Sequence, residues 1–164
     1  MNLNPDTALH VIDGPLLLRL GVAAFLGLLL GLDRELKGHA AGLRTHGIIC
    51  FTAALMTVIA IALYNQLGGA RGQVDPLRIL EAAAAFSGII AAGLIVVNKG
   101  EVHGLTTAAH IWLASMVGIA CGAGQWPLVA SAVIVAVVML TLLRIVERRW
   151  IAPRVTHDVP VDGD

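Results

Sequence analysis

Five apolar runs leave this chain few folds to choose from: Pro15 to Leu32, Gly47 to Tyr64, Ile79 to Val97, Leu105 to Cys121 and Pro127 to Leu143. Each approaches the roughly 20 residues that cross about 30 Å of hydrocarbon at a helical rise of about 1.5 Å per residue. The runs are rich in Leu, Ala, Val, Ile and Gly and lack the period-two alternation of barrel strands. Backbone in lipid must satisfy its own hydrogen bonds, so the runs predict helices. Breakers fill the connections: NQLGGARGQVDP at 65–76, NKGEVHG at 98–104 and GAGQWP at 122–127. The last of these is short, which predicts an antiparallel pair from the fourth and fifth runs. The expected fold class is all-α, a polytopic bundle of five transmembrane helices.

Composition supports this. The chain of 164 residues is 57% hydrophobic and only 13% charged, too little charge to wet the surface of a soluble domain of this size. Eleven basic residues balance eleven acidic ones, so no basic patch for nucleic acid is expected. The first run is read as a retained helix rather than a signal peptide. No Lys or Arg precedes it, and GLDRE follows it where a small-residue cleavage site would be needed. Cys50 and Cys121 show neither CxxC spacing nor a metal-ligand pattern and read as small buried side chains. They are expected at depths differing by more than about 10 Å.

Orientation follows from Lys and Arg. Five crossings put Arg34, Lys37, Arg44, Lys99, Arg144, Arg148, Arg149 and Arg154 on one side, against Arg19, Arg71 and Arg78 on the other. The richer side is taken as cytoplasmic. Residues 1–14 then form an extracytoplasmic segment, 15–146 the transmembrane domain, and 147–164 a cytoplasmic tail anchored by Trp150. Close helix approach in lipid depends on small residues. The first helix offers Ala23, Gly27 and Gly31, the third Ala84, Gly88 and Ala92, and the fourth Ala114, Gly118 and Gly122. Gly and Ala are common in membrane helices generally, but three such stripes together predict a tight core or the seam of a homo-oligomer. Arg19 and Glu81, each about one turn from the outer end of its helix, are expected to pair directly or through water.

The stretch RLGVAAFLGLLLGLDRELKGHAAGLRTHGIICFTAALM resembles the opening of the MgtC/SapB family of bacterial membrane proteins, with an acidic-Arg-Glu end to the first helix followed by AGLRTH. GLTTAAHIWLASMVGIACGAG, residues 104–124, is similar to that family's fourth-helix signature. GIIAAGLI, residues 88–95, stands where the family has a more Gly-rich sequence, with Ala91 in place of a glycine. The resemblance covers roughly residues 15–145. It implies a multi-pass protein of the bacterial inner (plasma) membrane, linked to magnesium limitation, acid tolerance and survival of pathogens in host cells. It also implies that some members act by binding other membrane proteins. Longer members carry a soluble C-terminal domain; this chain, ending about twenty residues after its fifth run, is expected to be the short form.

The two best-matching motifs fall on the same predicted face. Asp33, Arg34 and Glu35 end the first helix, and Arg44, Thr45 and His46 open the second. Gly104, Thr106 and Thr107 open the fourth, with His110 one turn deeper. Helix N-termini carry partial positive charge and free N–H groups. The expectation is therefore one cluster across three helices, closed by an Asp33–Arg44 pair beside Thr106, Thr107 and His110, that binds a ligand or partner. The competing expectation is structural: the charges anchor topology and Thr106 or Thr107 caps the fourth helix. Asp33, Glu35, His39, His46, His103 and His110 have no dedicated metal spacing, and magnesium would prefer oxygen ligands. No metal or cofactor is expected.

A transporter needs a polar path through the midplane, where the runs hold only Thr57, Ser87, Ser115 and Ser131 and no carboxylate. For an enzyme, the only nucleophile and base within reach are His46 and Cys50, at i, i+4. A regulator needs only apolar helix faces and a polar patch. The favoured expectation is a non-catalytic regulator or interaction protein whose partners are the lipid bilayer, another membrane protein and its own copies. The alternative is a small-solute or ion transporter, for magnesium or protons, acting as an oligomer.

Overall fold

The structure is a computed structural model that describes residues 14–66, 75, 77–98 and 100–146. The expected N-terminal segment, most of the 65–76 connection and the C-terminal tail with Trp150 lie outside the described residues. Five helices follow the five runs: α1 (Gly14–Leu36), α2 (Leu43–Gln66), α3 (Leu77–Ala92), α4 (Leu105–Gly122) and α5 (Trp126–Val146). Three of them, α1, α2 and α4, are long and apolar enough to cross a membrane; α3 and the apolar stretch Trp126–Met139 of α5 are shorter.

The third run does not stay helical to Val97. The helix stops at Ala92, and β1 (Val96–Asn98) pairs antiparallel with β2 (Glu101–His103), Val97 opposite Val102. Here β-branched residues beside glycine turn the chain into an exposed hairpin, so the described residues are all-helical apart from this one ribbon. Gly104 ends the hairpin at φ +84 and forms the N-cap of α4 without a side-chain cap. A Cβ there would collide with the Leu94 carbonyl oxygen. Neither Thr106 nor Thr107 caps α4, contrary to the structural expectation.

Two helix ends follow one local rule. After α1, Gly38 (φ +68) donates its N–H to Glu35 O and His39 to Arg34 O, both at 3.1 Å. After α4, Gly124 (φ +69) donates to Cys121 O and Gln125 to Ala120 O, at 2.9 and 3.0 Å. These are paired closures that satisfy terminal carbonyls through a left-handed glycine.

The core is built on α2, with α1 and α4 packed most closely against it; α3 and α5 lean on α4. Glycine sets the closeness. A Cβ on Gly27 would stand 2.6 Å from His46 O and 2.7 Å from Cys50 Cβ, and one on Gly31 2.7 Å from Gly42 O. Gly118 lies on the Cys50 carbonyl and Gly122 on that of Ala54, so α2 and α4 run in the same direction with α1 antiparallel to both. Gly118 stands level with Cys50, which puts Cys121 only three residues further along, about 4.5 Å. The expected depth separation of the cysteines is therefore not present, because the starts of α2 and α4 are staggered. Both cysteines are free and buried.

On α3 the inward stripe is Ala83, Ser87 and Ala91 rather than Ala84, Gly88 and Ala92. Gly88 is half-buried, with Trp112 3.7 Å from a hypothetical Cβ, and Ala92 is exposed. One position is about 100° of helix rotation. The register is marked by Ser87, which donates to Ala83 O at 2.9 Å and meets Ser115 at 2.6 Å on α4. Outward faces are apolar: Leu17, Leu18, Phe25, Ile89, Ile134 and Met139 are all more than half exposed.

Candidate functional site

The end of α1 and the starts of α2 and α4 meet at one end of the core, as the alternating directions require. The inward stripe of α1, Ala23, Gly27, Leu30, Gly31 and Arg34, carries the arginine into this junction at 5% exposure. Its Nη2 donates to the Thr107 hydroxyl, which is itself buried. Arg34 Nε is buried and has no protein partner among the described residues.

His46 is fully buried on the inward face of α2. Its Nδ1–H donates to the Gly42 carbonyl oxygen at 2.9 Å, which leaves the lone pair on Nε2 in the neutral ring. That Nε2 also has no protein partner among the described residues. The half-buried His110 ring stands edge-on to His46, centroids 6.3 Å apart and planes at 85°. Arg34, Thr107, His46 and His110 thus form one cluster across three helices, holding an unused donor and an unused acceptor.

The Asp33–Arg44 pair does not form. Asp33 lies about 100° around α1 from Arg34 and accepts from Lys37 Nζ at 2.7 Å, the i, i+4 partner on its own turn. Arg44 turns outward and is exposed, as is Thr106, while Thr45 is half-buried. Glu35 crosses to α2, where its Oε2 accepts from Leu43 N–H at 3.0 Å and places a carboxylate on that helix's positive end. A Cβ on Gly42 would collide with this same oxygen, so the AGL of AGLRTH fixes the crossing. Gly42 and the Glu35 cap escaped the sequence reading. Their only signal is a connection too short to keep the two helix ends apart.

His39, exposed in this connection, has its pKa held below the ordinary histidine value by desolvation and then by the Arg34 and Lys37 cations. Cys50, one turn beyond His46, is sealed between the backbones of Gly27 and Gly118. Among the described residues no three His, Cys, Asp or Glu side chains converge into a metal-ligand set. At the other end of the core, Arg19 donates from Nη1 to Gly122 O at 3.2 Å, and its guanidinium lies over Gly124. The cation serves the carbonyl end of α4. Glu81 is exposed, and no direct ion pair joins it to Arg19.

The polar cluster and its glycine-packed helices lie inside a segment shared with known proteins. The chain is 40% identical over 115 residues to Protein SapB of Bacillus subtilis (strain 168), covering 69% of this chain and 50% of that protein. It is 34% identical over 113 residues to the Escherichia coli (strain K12) protein named "Putative magnesium transporter YhiD", covering 68% and 53%. It is 31% identical over 130 residues to Protein MgtC of Salmonella typhimurium (strain LT2), covering 79% and 53%. The chain therefore spans about half the length of these relatives. No solved structure matches it. The MgtC family profile matches residues 20–149, from the turn after Arg19 through every helix of the junction, and the chain belongs to the MgtC family.

Proposed function

We propose that this protein is a regulator or interaction protein of the bacterial inner membrane, without a catalytic step of its own, linked to magnesium homeostasis and stress adaptation. It crosses the membrane five times with its N-terminus outside, and it works as a homo-oligomer or against another membrane protein. The observation that carries this reading is the contrast along α1, α2 and α4. At one end sits a buried guanidinium whose direct partner is a hydroxyl. A buried cation gains most from a carboxylate or phosphate partner. An acidic group presented by a neighbouring membrane protein suits the unused Nε–H.

Beyond the cluster the helices close on one another. Thr57 donates to Ala53 O at 2.9 Å and Ser87 meets Ser115, so three of the four midplane hydroxyls are spent inside the protein, and exposed Ser131 donates to Leu128 O of its own helix. Gly118 and Gly122 bring backbone onto backbone at the same level. This supports a binding module over a conduit. The alternative, a small-solute or ion (magnesium or proton) transporter acting as an oligomer, draws for magnesium on the name of the Escherichia coli relative.

Reconstitution separates the two. Proteoliposomes enclosing a magnesium indicator should take up no more magnesium than protein-free vesicles, with a proton dye giving the same result. Uptake that depends on the reconstituted protein would establish the transporter instead. Orientation is checked by cysteine labelling: position 39 should react only after permeabilisation and position 70 from outside.

A further inference from the structure

Between α1 and α2 the exposed surface holds a groove of about 290 Å³, lined by Ala24, Leu28, Arg44, Gly47, Ile48 and Phe51. Local spacing makes it. Arg44, Ile48 and Phe51 recur at i, i+4, i+7 on α2, and Ala24 and Leu28 at i, i+4 on α1. Gly47 and Ala24 leave the space between the larger side chains. Leu28 closes over Gly47, 3.0 Å from where a Cβ would stand. Five of the six lining residues present only carbon side chains or none; the sixth is a cation.

That cation is unspent. Arg44 is exposed in the first turn of α2, where the apolar run begins, and among the described residues it makes no hydrogen bond and no ion pair. The neighbouring acids are already engaged, Asp33 with Lys37 and Glu35 with the Leu43 N–H. The positive end of the α2 dipole lies beside it. An apolar trough ending in a free guanidinium has the shape and charge of one lipid: hydrocarbon along the trough, phosphate at its polar rim. Arginine also matches phosphate oxygens two at a time.

We propose that this groove is a binding site for an anionic phospholipid, with an acyl chain against Ala24, Leu28, Gly47 and Phe51 and the headgroup phosphate on Arg44. The test is native mass spectrometry of the full chain in detergent, titrated with phosphatidylglycerol or phosphatidylcholine of identical acyl chains. Phosphatidylglycerol adducts should be favoured about fivefold, the equivalent of about 1 kcal/mol for one basic residue at the membrane surface. Arg44→Ala should bring the two lipids level, and Arg44→Lys should retain part of the preference. Ala24→Leu should fill the trough and lower both adducts; Ile48→Trp, at an exposed position, does the same should Ala24→Leu not fold. Arg78→Ala, an exposed cation outside the groove, should bind lipid like the parent.

A phosphatidylglycerol preference that persists in Arg44→Ala overturns the proposal, and so does equal binding of both lipids by the parent. If the groove-filling variants change the ratio of dimer to monomer and leave lipid adducts untouched, the groove is a contact between copies and the proposal fails.

Discussion

The inner unit of α1, α2 and α4 and the outer helices α3 and α5 are made from the same apolar alphabet but hold together differently. In the inner unit, glycines set backbone against carbonyl: Gly27 on His46, Gly31 on Gly42, Gly118 on Cys50, Gly122 on Ala54. In the outer pair, contact runs through side chains. Ala83, Ser87 and Ala91 of α3 and Val129 and Ala136 of α5 are buried, while most of their neighbours face outward. Lipid tails are as apolar as leucine, so close fit supplies the attraction that hydrophobicity cannot. Glycine at the inner contacts leaves no slack, and Arg34, the one buried arginine among the described residues, sits where the three tightest helices converge.

The largest effect should come from adding one methyl to a backbone contact. Gly118→Ala places a Cβ against the Cys50 carbonyl and 2.9 Å from Ala53 Cβ, with helix on both sides to prevent relief. We expect a loss of about 1–3 kcal/mol, and more for Gly118→Val. Gly88→Ala on α3 meets only Trp112 at 3.7 Å and should be neutral. Thermal unfolding in detergent compares them. Equal melting shifts would erase the distinction between inner and outer helices.

Next in size is the junction. Thr107→Val keeps the shape but leaves the Arg34 Nη2 without its acceptor, at a cost of about 1–3 kcal/mol. Thr106→Val, one residue away and exposed, should change nothing measurable. Arg34→Met combined with Thr107→Val should cost less than the sum of the single changes, because the two side chains share one interaction. Strict additivity in that cycle would mean the hydrogen bond contributes nothing.

A smaller effect is expected at the far end. Arg19→Ala removes the cation over the α4 carbonyls and should cost about 0.3–1 kcal/mol. Glu81→Lys paired with Arg19→Glu should restore none of it, whereas rescue by that swap would restore the expected ion pair, direct or water-bridged. The smallest shift concerns His39. Its midpoint by NMR titration should fall below the ordinary value of 6.5, and Lys37→Ala should move it upward. A midpoint above 6.5 would contradict the cationic surroundings.

Much of this contrast was legible along the chain. The stripe Ala23, Gly27, Gly31 appears at four-residue spacing, and the same stripe points Arg34 inward at i+7 from Gly27. The family motifs directed attention to the end of the bundle where Arg34, His46, Thr107 and His110, all among the candidates, come together. Choosing Asp33 and Arg44 as the closing pair was the error. Opposite charges on adjoining helices invite pairing, but Asp33 lies about 100° around α1 from inward Arg34 and Arg44 about 160° around α2 from inward His46, and Lys37 reaches Asp33 from the turn just after α1.

What the sequence determined by itself is periodic and local. It set five apolar segments of helical length, small residues on the close-packing stripes of α1 and α4, and glycines where the chain after α1 and α4 must turn left-handed. Apolar burial sums over whole helix faces, so single residues hardly alter it. The tertiary structure decided the rest: that the third helix gives way to a hairpin, that Glu35 caps the start of α2 while Gly104 rather than a threonine begins α4, that Arg19 serves a carbonyl, and that Thr107 receives Arg34. A polar side chain takes the partner that lies within about 3 Å in the right direction. That direction depends on the rotation and stagger of helices distant in sequence, which no local period encodes.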